Sequence, residues 1–111
     1  MKVKLYRLTT LEAFKTEHAN ARGHCDNFLE KLSIADWNEP QDINQTINGN
    51  LIGAERVVFD LGGNGRNAFR IICKYDFKPF QEKVYLFIYW MGTHEEYNAL
   101  TQKQKLEIKD Y

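Results

Sequence analysis

The hydrophobic period of this chain changes once, after Gly53, and that change limits the folds open to it. Residues 56–61 (Arg-Val-Val-Phe-Asp-Leu) are β-branched and aromatic and stop at Gly62-Gly63-Asn64-Gly65, the composition of a strand ending in a tight turn. Residues 66–75 read as a second strand and 83–91 as a third, with a loop at 78–82 between them. The third run is almost continuously apolar, as expected of a strand inside a sheet rather than at its edge. Parallel neighbours need a crossover of a dozen or more residues, so two short connections predict an antiparallel meander.

The part before Gly53 reads as helical. Residues 2–8 alternate weakly and predict a short edge strand. Thr9 and Glu12 have capping-box spacing, which predicts a helix from there to about Asn20, with Leu11 and Phe14 on its apolar side. Gly23 interrupts the pattern, and Phe28, Leu29, Leu32 and Ala35 continue it as far as Asp36-Trp37; one broken helix and two helices both fit. A short third helix is expected with Asn38 as cap and Pro40 in its first turn, where the missing N–H is harmless; Asn48-Gly49-Asn50 ends it. After the meander, Thr93-His94-Glu95-Glu96 repeats the capping-box pattern, and 99–108 is helix-compatible. The whole, 1–111, is expected to be one α+β domain with helices first and a small curved antiparallel sheet after them.

Composition narrows the function classes. Fifteen Lys+Arg balance fifteen Asp+Glu, and the pI is near 6.8. That balance counts against whole-molecule attraction to nucleic acid, and an RNA partner would require a local positive field. No run approaches the ~20 apolar residues of a membrane span, and the opening residues are too charged for a secretion signal. A cytoplasmic protein with reduced thiols at Cys25 and Cys73 is the expectation, although spacing alone leaves a single disulfide open.

The local field is found on the second strand. Strand residues two apart share a face, so Arg66, Arg70 and Lys74 stand together opposite Phe69, Ile71 and Cys73. Such a cation row suits a phosphodiester backbone, but solvent-facing strands also carry Lys and Arg simply to discourage edge pairing. His94 sits at a helix start beside a sheet end, where an imidazole can exchange protons near neutrality. Tyr97, three residues on, shares its helical face and offers a phenol for hydrogen bonding or stacking. Either residue taken alone also fits a purely structural role. Asn64 in the glycine turn is a further candidate RNA contact. His18, His24 and Cys25 cluster without the ligand spacing of a zinc site, so neither metal nor cofactor is expected.

Three segments together resemble the HigB family of bacterial type II toxins, relatives of the RelE-type mRNA interferases. They are Arg56 to Asn64, Phe69-Arg70-Ile71-Ile72-Cys73-Lys74-Tyr75, and Met91-Gly92-Thr93-His94-Glu95-Glu96-Tyr97-Asn98; Ala35-Asp36-Trp37 followed by Pro40-Gln41-Asp42 also fits. The resemblance implies a compact RelE-like fold, cleavage of mRNA, often on the ribosome, and neutralisation by a HigA-type helix-turn-helix antitoxin. It carries Arg70, Lys74, His94 and Tyr97 onto catalytic positions and Asn64 into the family's Gly-Gly-Asn turn. Arg66 transfers less securely, because the segment between Asn64 and Arg70 is longer than in many relatives, and the neutral charge departs from ribosome-dependent interferases. A non-catalytic alternative stays open: an RNA-binding module or a degenerate toxin that engages only its antitoxin, using the sheet cations and aromatics such as Trp37 and Tyr97.

Overall fold

The structure, a computed structural model, describes residues 1–64 and 68–110. It contains the strands β1 (Lys2–Tyr6), β2 (Gly49–Gly53), β3 (Arg56–Gly62), β4 (Phe69–Lys78) and β5 (Lys83–Thr93). The helices are α1 (Leu8–Glu17), α2 (Arg22–Ser33), α3 (Gln41–Thr46), α4 (His94–Ala99) and α5 (Gln102–Glu107). The sheet order is β1-β5-β4-β3-β2. The expected meander is present as β3-β4-β5, all antiparallel, with β5 interior. The sheet as a whole is mixed, because β1 pairs with β5 in parallel, Lys2 opposite Lys83.

Each face of the sheet has its own core. Strand parity sends Val57, Phe59, Leu61, Phe69, Ile71, Cys73, Val84, Leu86 and Ile88 to one side, where Leu11 and Phe14 of α1 and Cys25, Phe28 and Leu32 of α2 meet them. Phe28 packs its ring 5.1 Å from that of Phe59. The second face holds a smaller cluster of Val58, Ile72 and Trp90, against which Tyr97, Leu100 and Ile108 of the C-terminal segment pack. The thiols of Cys25 and Cys73 are buried and free.

Several local expectations are corrected. The Thr9–Glu12 box is not used: α1 starts at Leu8, because Arg7 takes a left-handed conformation (φ 72°) that turns the chain straight out of β1 into the helix. Gly23 does not interrupt; it lies within α2, and the break between helices falls earlier, at the short 3-10 turn Ala19–Ala21. Asn48-Gly49-Asn50 ends α3 but also begins β2, a strand the sequence did not announce. The second predicted strand is found over Phe69–Lys78, three residues past its expected end at 75, the expected 66 and 67 lying outside the described residues, and 78–82 contains a 3-10 turn, Pro79–Gln81. The C-terminal helical stretch is two short helices separated at Leu100-Thr101, the second with its own capping box between Thr101 and Gln104. Trp37 is fully buried and so has no exposed ring to offer an RNA base.

Candidate functional site

The candidate residues concentrate where β4, β5 and α4 meet on the second face. Alternation along β4 turns Arg70, Ile72 and Lys74 away from the helix-covered core, as the sequence predicted. Cross-strand pairing then sets what each meets. Arg70 lies opposite Gly92 on β5 and Asp60 on β3. Its Nη1 is 2.8 Å from Asp60 Oδ1, a partly exposed ion pair, and the same carboxylate accepts from the Gly62 N–H at 2.9 Å. Asp60 thus holds the guanidinium at the head of the strand and fixes the approach to the glycine turn. Sequence reading missed it, because a register shift between Asp60 and Gly62 breaks simple counting across the turn.

The imidazole of His94 is positioned by the start of α4. Thr93 Oγ1 accepts from the Glu96 N–H, and Glu96 Oε1 accepts from the Thr93 N–H, the reciprocal box expected from Thr93 and Glu96. The His94 N–H donates to the Ala68 carbonyl at 2.8 Å, which ties the helix start to the head of β4. Its Nε2 lies 3.1 Å from Asn98 Nδ2. Nδ1 is buried and meets no hydrogen-bond partner among the described residues. A buried polar atom left so costs on the order of 1–3 kcal/mol, which marks the position as one not chosen for stability alone.

Tyr97 is half-buried, its ring 6.1 Å from that of Trp90. Burial raises the pKa of its phenol, and the nearby charge of Arg70 draws it back only in part. The hydroxyl therefore stays protonated at neutral pH and can donate to an anionic oxygen. Lys105 of α5 sits 4.4 Å from the Tyr97 ring centroid, adding a cation that the sequence reading did not identify. The Thr101-x-x-Gln104 box was the readable signal that a helix would carry Lys105 there.

Arg70, Tyr97 and His94 are thus brought to one end of the sheet, whereas Lys74 stands apart. It is four residues further along β4, ~13 Å by strand rise, with the Ile72–Trp90 pair between and Arg56 and Phe87 as its cross-strand neighbours. Arg56 is buried. It stacks over Tyr89 at 4.7 Å and donates to the Ile108 carbonyl at 2.7 Å, so its work is to hold the C-terminal segment on this face. Asn64 is exposed, past the end of β3. Arg66 lies outside the described residues. His18 and His24 both pack their rings against Phe69, which gives them a role in the core.

Comparison with known proteins bears on this arrangement. A family model described as HigB_toxin, RelE-like toxic component of a toxin-antitoxin system, matches residues 21–100. No curated protein matches the chain.

Proposed function

The chain belongs to the HigB_toxin family of RelE-like toxic components of toxin-antitoxin systems, and from that membership we propose that it is an mRNA interferase cutting RNA without a metal. The observation that carries the proposal is the convergence of a cation (Arg70), a protonated phenol (Tyr97) and an imidazole whose buried Nδ1 meets no partner among the described residues (His94) at one end of the sheet's second face.

RNA supplies its own nucleophile. The ribose 2′-oxygen attacks the adjacent phosphorus as its proton passes to a base, the bond from phosphorus to the 5′-oxygen breaks, and that oxygen leaves with a proton from an acid. The products are a 2′,3′-cyclic phosphate and a 5′-hydroxyl. In this reading His94 exchanges protons, Tyr97 donates to a non-bridging oxygen or relays a proton, and Arg70 neutralises charge on the phosphorane. Lys74, well along β4, holds a neighbouring phosphate, and Asn64 and Arg66 contact the strand near the turn. A HigA-type helix-turn-helix antitoxin is the expected partner, the ribosome-bound message the expected substrate and the cytoplasm the expected compartment.

The test is in vitro translation with mapping of message ends. Wild type should generate new 5′-hydroxyl ends, and on purified RNA without ribosomes any cleavage should persist in excess chelator. Arg70→Ala and His94→Ala should each slow this by roughly 10²–10³. Equal cleavage by the variants would overturn the assignment. Absence of cleavage by wild type, with antitoxin binding intact, would make the chain a degenerate toxin.

A further inference from the structure

The same sheet face continues beyond the cleft, across β1, β5 and the far half of β4. Val3, Leu5, Val84, Leu86, Tyr75 and Phe77 belong to the helix-covered core, so the alternate residues point the other way. Register arranges those in three cross-strand rows. Lys2, Lys83 and Lys78 form the first. Lys4, Tyr85 and Asp76 form the second, and Tyr6, Phe87 and Lys74 the third.

Two properties of this surface stand out against a chain of zero net charge. Within the three rows five lysines meet one aspartate, Asp76, which Lys78 engages at 3.4 Å, while Asp36 borders the first row beside Lys2. The three rings among them are half-exposed: Tyr6 and Phe87 stack with centroids 5.2 Å apart and planes within 14°, and Tyr85 lies 5.6 Å from Tyr6. Lys4 Nζ stands 5.3 Å from the Tyr6 centroid.

A protein partner is a poor match, since the centres of protein interfaces are depleted in lysine. Rings that offer π-faces, bordered by cations spaced ~5–7 Å apart by the geometry of a sheet, match an unpaired nucleic-acid strand, whose bases stack while its phosphates are tracked by charge. Lys74 is shared between this surface and the strand that leads up β4 to Arg70, with the Ile72–Trp90 pair and the C-terminal segment packed on it in between.

Resting on the ribonuclease reading above, we propose that this half of the face is a binding track for the single-stranded RNA flanking the cut. Tyr6 and Tyr85 stack its bases, with Phe87 stacked behind Tyr6, and Lys4 and Lys83 hold its phosphates. Cutting and gripping are then separate functions of two patches on one side of the sheet, on either flank of the C-terminal segment.

Binding of a short, unstructured, fluorescein-labelled RNA to the purified full chain, followed by anisotropy over a salt series, tests this apart from cleavage. Wild type should bind it more tightly than the same sequence in a duplex. The Lys4→Glu/Lys83→Glu double variant, both sites exposed, should bind at least about tenfold more weakly and lose about 0.7 of salt slope per lysine. Tyr6→Leu should weaken binding roughly 5- to 150-fold if one base is unstacked, with circular dichroism confirming that it folds. Wild-type affinity in the double variant overturns the track, while cleavage by wild type would leave the nuclease reading standing. RNA binding that falls in the variants, from a wild type that never cuts, supports the track and sinks the nuclease. Unchanged RNA binding with lost capture of the co-expressed antitoxin would make the face a protein interface and overturn the proposal.

Discussion

Arg70 is the cation assigned to the proposed chemistry, and it is already paired within the fold. Its ion pair with Asp60 keeps the guanidinium in place but also neutralises it. Both groups are partly solvated, so the pair contributes only about 0–1 kcal/mol to folding. Asp60→Asn retains an oxygen for the Gly62 N–H while removing the competing charge. The expected outcome is tighter RNA binding, by several-fold, at a stability cost within about 1 kcal/mol, measured by anisotropy and thermal unfolding. If binding is unchanged and only the melting temperature falls, Arg70 serves the fold and not the substrate.

At the scale of elements, the C-terminal helices close one wall of the site and depend on two devices. The Thr101 box starts α5, and Arg56 holds its end through the Lys105 and Ile108 carbonyls while its guanidinium lies on Tyr89. Burial lowers the Arg56 pKa, and since a guanidinium in a protein stays charged, its charge must be satisfied there. Arg56→Met should leave two carbonyls without a donor and cost roughly 2–4 kcal/mol. Amide exchange would rise first across residues 102–108, and uniform protection there would refute the coupling.

The elements differ in how far they could be read beforehand, for physical reasons. β3, β4, β5 and the Thr93 cap are local patterns, and strand parity correctly separated Arg70 and Lys74 from the core. The β2–β3 hairpin was hidden because its two-residue turn places Ala54 and Glu55 at positive φ (52° and 57°), where Asn-Gly or Asp-Gly is the usual signal. The start of α1 was displaced by Arg7, another left-handed residue that no propensity favours. Of the site, residue types and faces were legible. The Asp60 pairing, the separation of Lys74 from His94 and the burial of Trp37 depend on register and tertiary packing, which no local window contains.

For the whole molecule, the thiols at the centre of the fold set an alkaline limit. Burial pushes Cys25 from its ordinary 9.0 up to about 11 and Cys73 further in the same direction. A raised pKa means that the folded state keeps protons the unfolded chain has already released. Stability is therefore fully present below pH 9 and is lost as pH rises toward 11, by on the order of 1–3 kcal/mol per thiol. Burial raises Tyr75 and Tyr97 too, and they act with the same sign from about pH 10. Urea midpoints across this range should decline, and less steeply in Cys25→Ala. A flat profile would mean the thiols are not enclosed in solution.

The parallel pairing of β1 with β5 fixes an order of events during synthesis. Lys2 leaves the ribosome early and must wait for Lys83 before the sheet can close around it. Such distant pairing is paid for in loop entropy before any contact repays it, so it forms late. The cleft follows the same schedule, because its walls, β4, β5 and α4, all come from the later part of the chain. The surface that the proposed chemistry would use is therefore among the last parts of this fold to assemble.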